Sequence, residues 1–216
     1  LLTKGYKNVI GLDKMSSGFK ENKKIQKKFL KKIKINKNFY FKSIRNLSLK
    51  KKFDVIILFS VIEHVKNWEN LLSQCLLRLN KNGKIILNCP NYFSFYEPHF
   101  RIPIIINKKI TYFFFKKYIQ NYEKKNNYIG MYRDLNFINI NQLLFYIKKK
   151  KLNFKLNKKV LESYFLRVKK DKEFIRRHYF LSFVIRFFLK LGIHKLLRFL
   201  PKQFQPIIHL EIKKFN

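Results

Sequence analysis

Lys50-Lys-Lys-Phe-Asp-Val-Ile-Ile-Leu-Phe-Ser60 opens on charge and continues as an unbroken apolar run, which reads as a buried strand. Val61-Ile-Glu-His-Val65 follows as a turn. Trp68 to Leu79 then places Trp68, Leu71, Leu72, Cys75, Leu76 and Leu79 on one helical face. Asn80-Lys-Asn-Gly83 stops that helix, and Lys84-Ile-Ile-Leu-Asn-Cys89 is the next strand, closed by Pro90. A strand, a helix and a strand in this order form an α/β unit whose strands run parallel.

The same rhythm continues on both sides. Asn8-Val-Ile-Gly-Leu-Asp13 reads as a short strand ending in an acid. Residues 19–35 have roughly helical spacing, and Asn38 to Lys42 suggests a second short strand. Downstream, 92–138 is aromatic and without a clean period, so it is expected to be an insertion acting as a lid. A helix near 139–152 and a strand near 154–166 restore the pattern. Residues 167–205, strongly helical from 171 to 200, are expected to be a second insertion. Pro206 to Phe215 alternates apolar and polar residues, which fits an antiparallel closing strand. One domain is expected, with its core in 1–91, 139–166 and 206–215.

Lys+Arg number 49 against 12 Asp+Glu, a formal net charge of +37 over 216 residues. Such a charge suggests nucleic acid or an anionic membrane as partner. Yet the chain contains no alanine, and Lys, Ile, Phe, Asn and Tyr, all with A/T-rich codons, make up more than half of it. Codon drift therefore accounts for the charge equally well. At 47% hydrophobic, the chain can build a core and is not a disordered polycation. Cys75 and Cys89 lack the spacing of a disulfide framework or a metal site, and no metal is expected. A reducing, cytoplasmic setting fits two free cysteines.

The block from Phe53 to Asn91 resembles the class I S-adenosylmethionine-dependent methyltransferases. It has the strand beginning Phe-Asp, the Glu-His-Val turn, the helix, the glycine turn and the strand ending near Pro-Asn. Lys81-Asn82-Gly83 stands where the family usually has Pro-Gly-Gly. Gly5 to Asp13 looks like the family's second strand. The resemblance implies a Rossmann-like, doubly wound, mostly parallel sheet in the order 3-2-1-4-5-7-6, with an antiparallel last strand and helical insertions. It implies methyl transfer from S-adenosylmethionine to a small-molecule, glycan or lipid-linked acceptor. The family's first strand and Gly-x-Gly-x-Gly loop have no counterpart here, and the first residue is Leu1. The expectation is an N-terminally truncated chain, first strand missing, that holds the cofactor weakly or not at all by itself.

On this resemblance Asp13, at a strand's carboxyl end, would accept both ribose hydroxyls. Taken alone, Asp13 reads more readily as a helix N-cap. Met15, Ser43 and Ile44 would hold the adenine, with Ser43 standing where the family often has an acid. Ser60 and Val61 fall where the cofactor is contacted. His64 is expected either in catalysis or in stabilising its turn, with Glu63 supporting that turn. Phe95-Tyr-Glu-Pro-His-Phe-Arg101 is similar to a Glu-Pro-His segment of some bacterial methyltransferases. His99 and Glu97 are candidates for acceptor contact or proton removal. The competing reading is a loop ion pair between Glu97 and Arg101. Tyr132 and Arg133 are expected to close the same pocket.

Within 179–200, Arg186, Lys190, His194 and Arg198 recur at every fourth position beside a wide apolar surface. This is either a peripheral contact with an anionic bilayer, placing a cytoplasmic protein at the inner face of the membrane, or a helical cap or dimer contact. Charges at every turn exclude a membrane span. A nucleic-acid methyltransferase or a basic RNA-binding module is the alternative function. It is disfavoured because no appended RNA-binding motif and no Asn-Pro-Pro-Tyr type signature is present.

Overall fold

The computed structural model describes residues 9–12, 40–41, 43–177 and 179–214. Gly11–Leu12 (β1) and Tyr40–Phe41 (β2) pair in parallel as a two-stranded sheet. Phe53–Phe59 (β3), Leu79–Pro90 (β4), Leu152–Leu156 (β7) and Ile207–Lys214 (β8) form the main sheet in the order β3-β4-β8-β7. β3 and β4 are parallel, and β8 runs antiparallel to both β4 and β7. This order reproduces the 4-5-7-6 half of the expected arrangement, with β1 and β2 as the expected second and third strands. The expected helix over 19–35 lies outside the described residues.

β3 and β4 are joined by helix α1, Trp68–Leu77. The Asn67 side chain starts α1 by accepting a hydrogen bond from the Asn70 amide at 3.0 Å. Its apolar stripe buries Leu72 and Cys75 against Ile85, Leu87, Leu210 and Ile212 of the sheet. Helix α4, Ile140–Lys149, covers the same face, and its start is fixed by a reciprocal pair between Asn139 and Gln142. Leu143 and Ile147 of α4 are fully buried. Burying each such side chain is worth about 2 kcal/mol. The other face of β3 exposes Val55, Ile57 and Phe59.

Asn80-Lys-Asn-Gly83 is not the free turn that the sequence suggests, and the helix ends before Leu79. These residues lie within β4, where the register shifts from Phe53↔Leu79 to Val55↔Lys84. A bulge absorbs the extra residues. Gly83 is required there because a Cβ would meet the Phe53 carbonyl oxygen at 2.8 Å.

The insertion after β4 is more regular than its sequence implies. A hairpin of Tyr96–Glu97 (β5) and Ile102–Pro103 (β6) leads into the 19-residue helix α2, Lys108–Asn126. A short helix α3, Met131–Asp134, follows. Phe100, Ile102, Ile119, Tyr132 and Leu135 give this region a core of its own. The strand expected over 154–166 is split: β7 ends at Leu156, and Val160–Leu166 is helix α5. Helices α6 (Lys172–Arg177) and α7 (Tyr179–Lys190) and a 3-10 helix (Ile193–Phe199) fill the second insertion. Gly192, at φ 72°, breaks the helical path. Among the described residues no helix is long and apolar enough to cross a membrane.

Asn91 ties these parts together where β4 ends. It is fully buried. Its side-chain amide donates to the carbonyl oxygens of Gln203 (2.9 Å) and Gln205 (2.8 Å). Its side-chain oxygen accepts from the amides of Phe93 and Ile140, both at 3.2 Å.

Candidate active site beyond the carboxyl end of β3

β3 ends at Phe59, and the chain turns sharply at Ser60, whose φ of 51° is left-handed. A non-glycine residue in that region stores strain, a feature that concentrates at functional sites. The Ser60 amide still donates to the Asn88 carbonyl of β4 at 2.8 Å. A 3-10 turn over Ile62–His64 follows. It is pinned from above by Asn136, whose amide donates to the Glu63 carbonyl at 2.6 Å and whose side chain donates to that of Val65 at 2.5 Å. The turn is therefore held between the sheet and the end of the first insertion.

The β5–β6 hairpin brings the second half of the site. Glu97 is fully buried. One of its oxygens accepts from the Phe100 amide at 2.6 Å. The other accepts from the His99 amide (3.1 Å) and the Tyr92 hydroxyl (3.3 Å), and faces His99 Nδ1 at 2.7 Å. Its partner is thus His99, and no ion pair joins it to the exposed Arg101. With the Glu97 carboxyl accepting, Nδ1 of His99 carries the proton and Nε2 presents its lone pair.

The two halves meet. The rings of His64 and His99 stand edge to face with centroids 5.1 Å apart. Glu63, His64 and His99 bring one ligand atom each to within 4.8 Å of one another. Glu63 is fully buried, and neither of its carboxylate oxygens has a hydrogen-bond partner among the described residues. Burial raises its pKa, and its own backbone amide, the neighbouring His99 ring and the Ser60 hydroxyl offset this only in part. Burial and the neighbouring His99 push His64 down to about 4, with Glu97 acting weakly in the opposite sense. His64 is therefore a neutral imidazole at physiological pH and a poor proton acceptor. Burial, then the charge of Glu97, drives the Tyr92 phenol far above its usual range, so Tyr92 serves as a donor.

His64, His99 and Glu97, the three residues proposed for chemistry on sequence, thus come together in space. Ser60 is exposed beside them, and Val61 is half-buried against the core. Ser43 caps the 3-10 helix Ile44–Asn46 by accepting from the Arg45 amide at 3.3 Å, and Ile44 packs on the main core. Asp13 and Met15 lie outside the described residues. Tyr132 and Arg133 are engaged with neighbours of their own. The Tyr132 hydroxyl donates to the Lys108 carbonyl at 3.0 Å, while its ring backs Phe100. Arg133 points outward and pairs with Asp134. Tyr92 and Asn136 were not singled out on sequence. The only signal for Glu63 was an acid inside the apolar run Val61-Ile-Glu-His-Val65.

Residues 2–142 match the family model of the methyltransferase domain. The uncharacterized proteins Rv1509 and MT1557 of Mycobacterium tuberculosis are each 29% identical to this chain over 166 residues, covering 76% of this chain and 57% of theirs. The chain thus spans little more than half the length of these curated relatives. Among solved structures, the plantazolicin methyltransferase BpumL in complex with SAH is 18% identical, covering 82% of this chain and 58% of that one, with a TM-score of 0.40. The cyclopropane synthase MmaA2 from Mycobacterium tuberculosis is 13% identical, covering 95% and 68%, with a TM-score of 0.43.

Proposed function

The chain belongs to the methyltransferase-domain family, and from that premise we propose that it transfers a methyl group from S-adenosylmethionine to a small-molecule, glycan or lipid-linked acceptor held over His64 and His99. The observation that carries this reading is the buried Glu97, which fixes His99 with Nε2 free at the carboxyl end of a parallel strand. Ligands of doubly wound sheets bind at such ends.

The residues fit one side of a cofactor cradle. Ser60 stands exposed on the strained turn after β3, next to Glu63, and Val61 forms the adjoining apolar wall. Asp13 would receive the ribose hydroxyls, and Met15, Ser43 and Ile44 would border the adenine. The cofactor, when bound, supplies an activated methyl group on a sulfonium centre. What remains for the protein is to align the acceptor, exclude water and receive a proton. His99 is suited to receive it, because Glu97 stabilises the imidazolium that forms. His64, kept neutral by burial, orients the acceptor by hydrogen bonding.

A specific observation favours a bilayer as the place where the protein works. Phe183, Phe187, Leu191, Leu196 and Phe199 are all exposed, next to exposed Arg186, Lys190, Lys195 and Arg198. Apolar side chains flanked by cations suit an anionic leaflet, such as the cytoplasmic face of a membrane. His194 does not belong to this stripe as its spacing suggested. It is buried, and Lys195 is the exposed cation at that point.

Calorimetry with S-adenosylhomocysteine tests the cofactor half of the proposal. Weak, saturable binding is expected, reduced at least ~10-fold further by Asp13→Ala through loss of a charge-assisted pair. Binding of equal strength in Asp13→Ala would overturn it.

A further inference from the structure

We propose that Glu63, His64 and His99 bind a divalent transition-metal ion. Two His and one carboxylate are a ligand set for zinc or ferrous-type ions, and three protein ligands leave a position open. Nothing in the spacing of the sequence predicts the trio, because His99 arrives from the β5–β6 hairpin and the other two from the turn after β3.

Three observations support it. The ligand atoms lie within 4.8 Å of one another. An ion with bonds of about 2.1 Å would draw them roughly an ångström closer, which side-chain rotation can supply. Among the described residues the Glu63 carboxylate has no exposed surface and no hydrogen-bond partner on either oxygen. A buried carboxylate left so is costly, and a cation beside it removes the cost. His99 is held as metal-bound histidines commonly are: its Nδ1 faces a buried carboxyl at 2.7 Å, which leaves Nε2 for the ion. The Tyr92 hydroxyl reaches both Glu97 and His99 Nδ1 at 3.3 Å and completes the outer support.

The inference deepens the methyl-transfer reading in one respect and rests on it there: the open position would receive an oxygen of the acceptor. A hydroxyl bound to such a cation would have a lowered pKa and would release its proton to bulk water on binding, so His99 would hold the ion in place of taking that proton itself.

The test uses chelator-treated full chain, titrated with Co(II) alone and followed by visible d–d absorption, then with Zn(II) in competition. One ion per chain is expected, with bands of a low-symmetry site containing nitrogen ligands. Glu63→Gln and His99→Ala should each weaken Co(II) at least ~10-fold. Glu97→Gln, a change in a positioning residue, should weaken it by roughly tenfold while leaving the stoichiometry intact. His209→Ala, outside the trio, should leave it unchanged. Circular dichroism and urea denaturation establish that each variant is folded. The measurement needs neither cofactor nor acceptor, so the ion site and the methyl-transfer reading can fail separately. No stoichiometric ion, or binding that survives Glu63→Gln and Glu97→Gln alike, would overturn the inference.

Discussion

Nδ1 of His99 lies 2.7 Å from Oε1 of Glu97, a carboxyl group with no exposed surface. That contact sets which nitrogen of His99 is available for chemistry. Replacing Glu97 by Gln keeps the shape and exchanges one carboxylate oxygen for an NH2 donor, which faces His99 when the remaining oxygen keeps the Phe100 amide. The His99 proton should then move to Nε2. Imidazole 15N shifts of the metal-free protein report the tautomer directly. An unchanged tautomer in Glu97→Gln would show that the carboxyl does not orient the ring.

Asn91→Ala should cost about 3 kcal/mol of stability, because buried carbonyls and amides on two separate segments lose their partner at once. Urea denaturation of both proteins at one pH measures it. A loss within ~0.5 kcal/mol, the range of ordinary surface changes, would mean that the segment 202–205 is held by other contacts.

Stability should fall in alkali for a reason that can be isolated. Burial pushes the Cys75 thiol from an ordinary 9.0 up to about 12, and Cys89 also moves well up. Between those two values the folded chain keeps the Cys75 proton and the unfolded chain has lost it. The folded state therefore binds more protons, and unfolding free energy declines as pH rises, by up to ~1.4 kcal/mol per pH unit for each thiol. Below pH 9 this contribution is fully present. Denaturation of wild type and Cys75→Val across pH 8 to 11 should show a shallower decline in the variant. Parallel curves would remove the thiol as the cause.

The exposed aromatic stripe of α7 gives a vesicle prediction. Flotation with anionic vesicles should show binding that weakens as salt rises, because exposed charges are screened. Phe183→Glu and Phe187→Glu should each reduce it roughly tenfold, through lost apolar burial. Salt-insensitive binding, or none, would leave the stripe as a cap or a contact between copies.

The central unit was legible because its physics is local. The apolar run of β3, the face of α1 and the alternation of β8 each fix an element without reference to the rest. The bulge at Asn80–Gly83 was read as a turn because glycine marks both, and only the partner strand tells them apart. Helix α2 was hidden by paired lysines and by the run Phe113-Phe-Phe115, of which Phe113 and Phe114 are exposed and blur the helical period. Its end at Asn127, left-handed at φ 56°, was the available signal. The site was half legible. His64, Glu97 and His99 were chosen by residue type and local spacing. Their meeting depends on the hairpin folding over the turn, which no local pattern encodes. His194 illustrates the opposite error: fourfold spacing suggested a basic stripe, yet packing took that ring into the interior.

The central claim is that His99, set by Glu97, stands at the acceptor end of a methyl-transfer site. The most direct measurement follows labelled methyl from S-adenosylmethionine into a small-molecule and lipid extract, comparing wild type with His99→Ala at matched S-adenosylhomocysteine affinity. The account predicts labelled product from wild type and roughly a hundredfold less from the variant. Equal labelling by both proteins would contradict it.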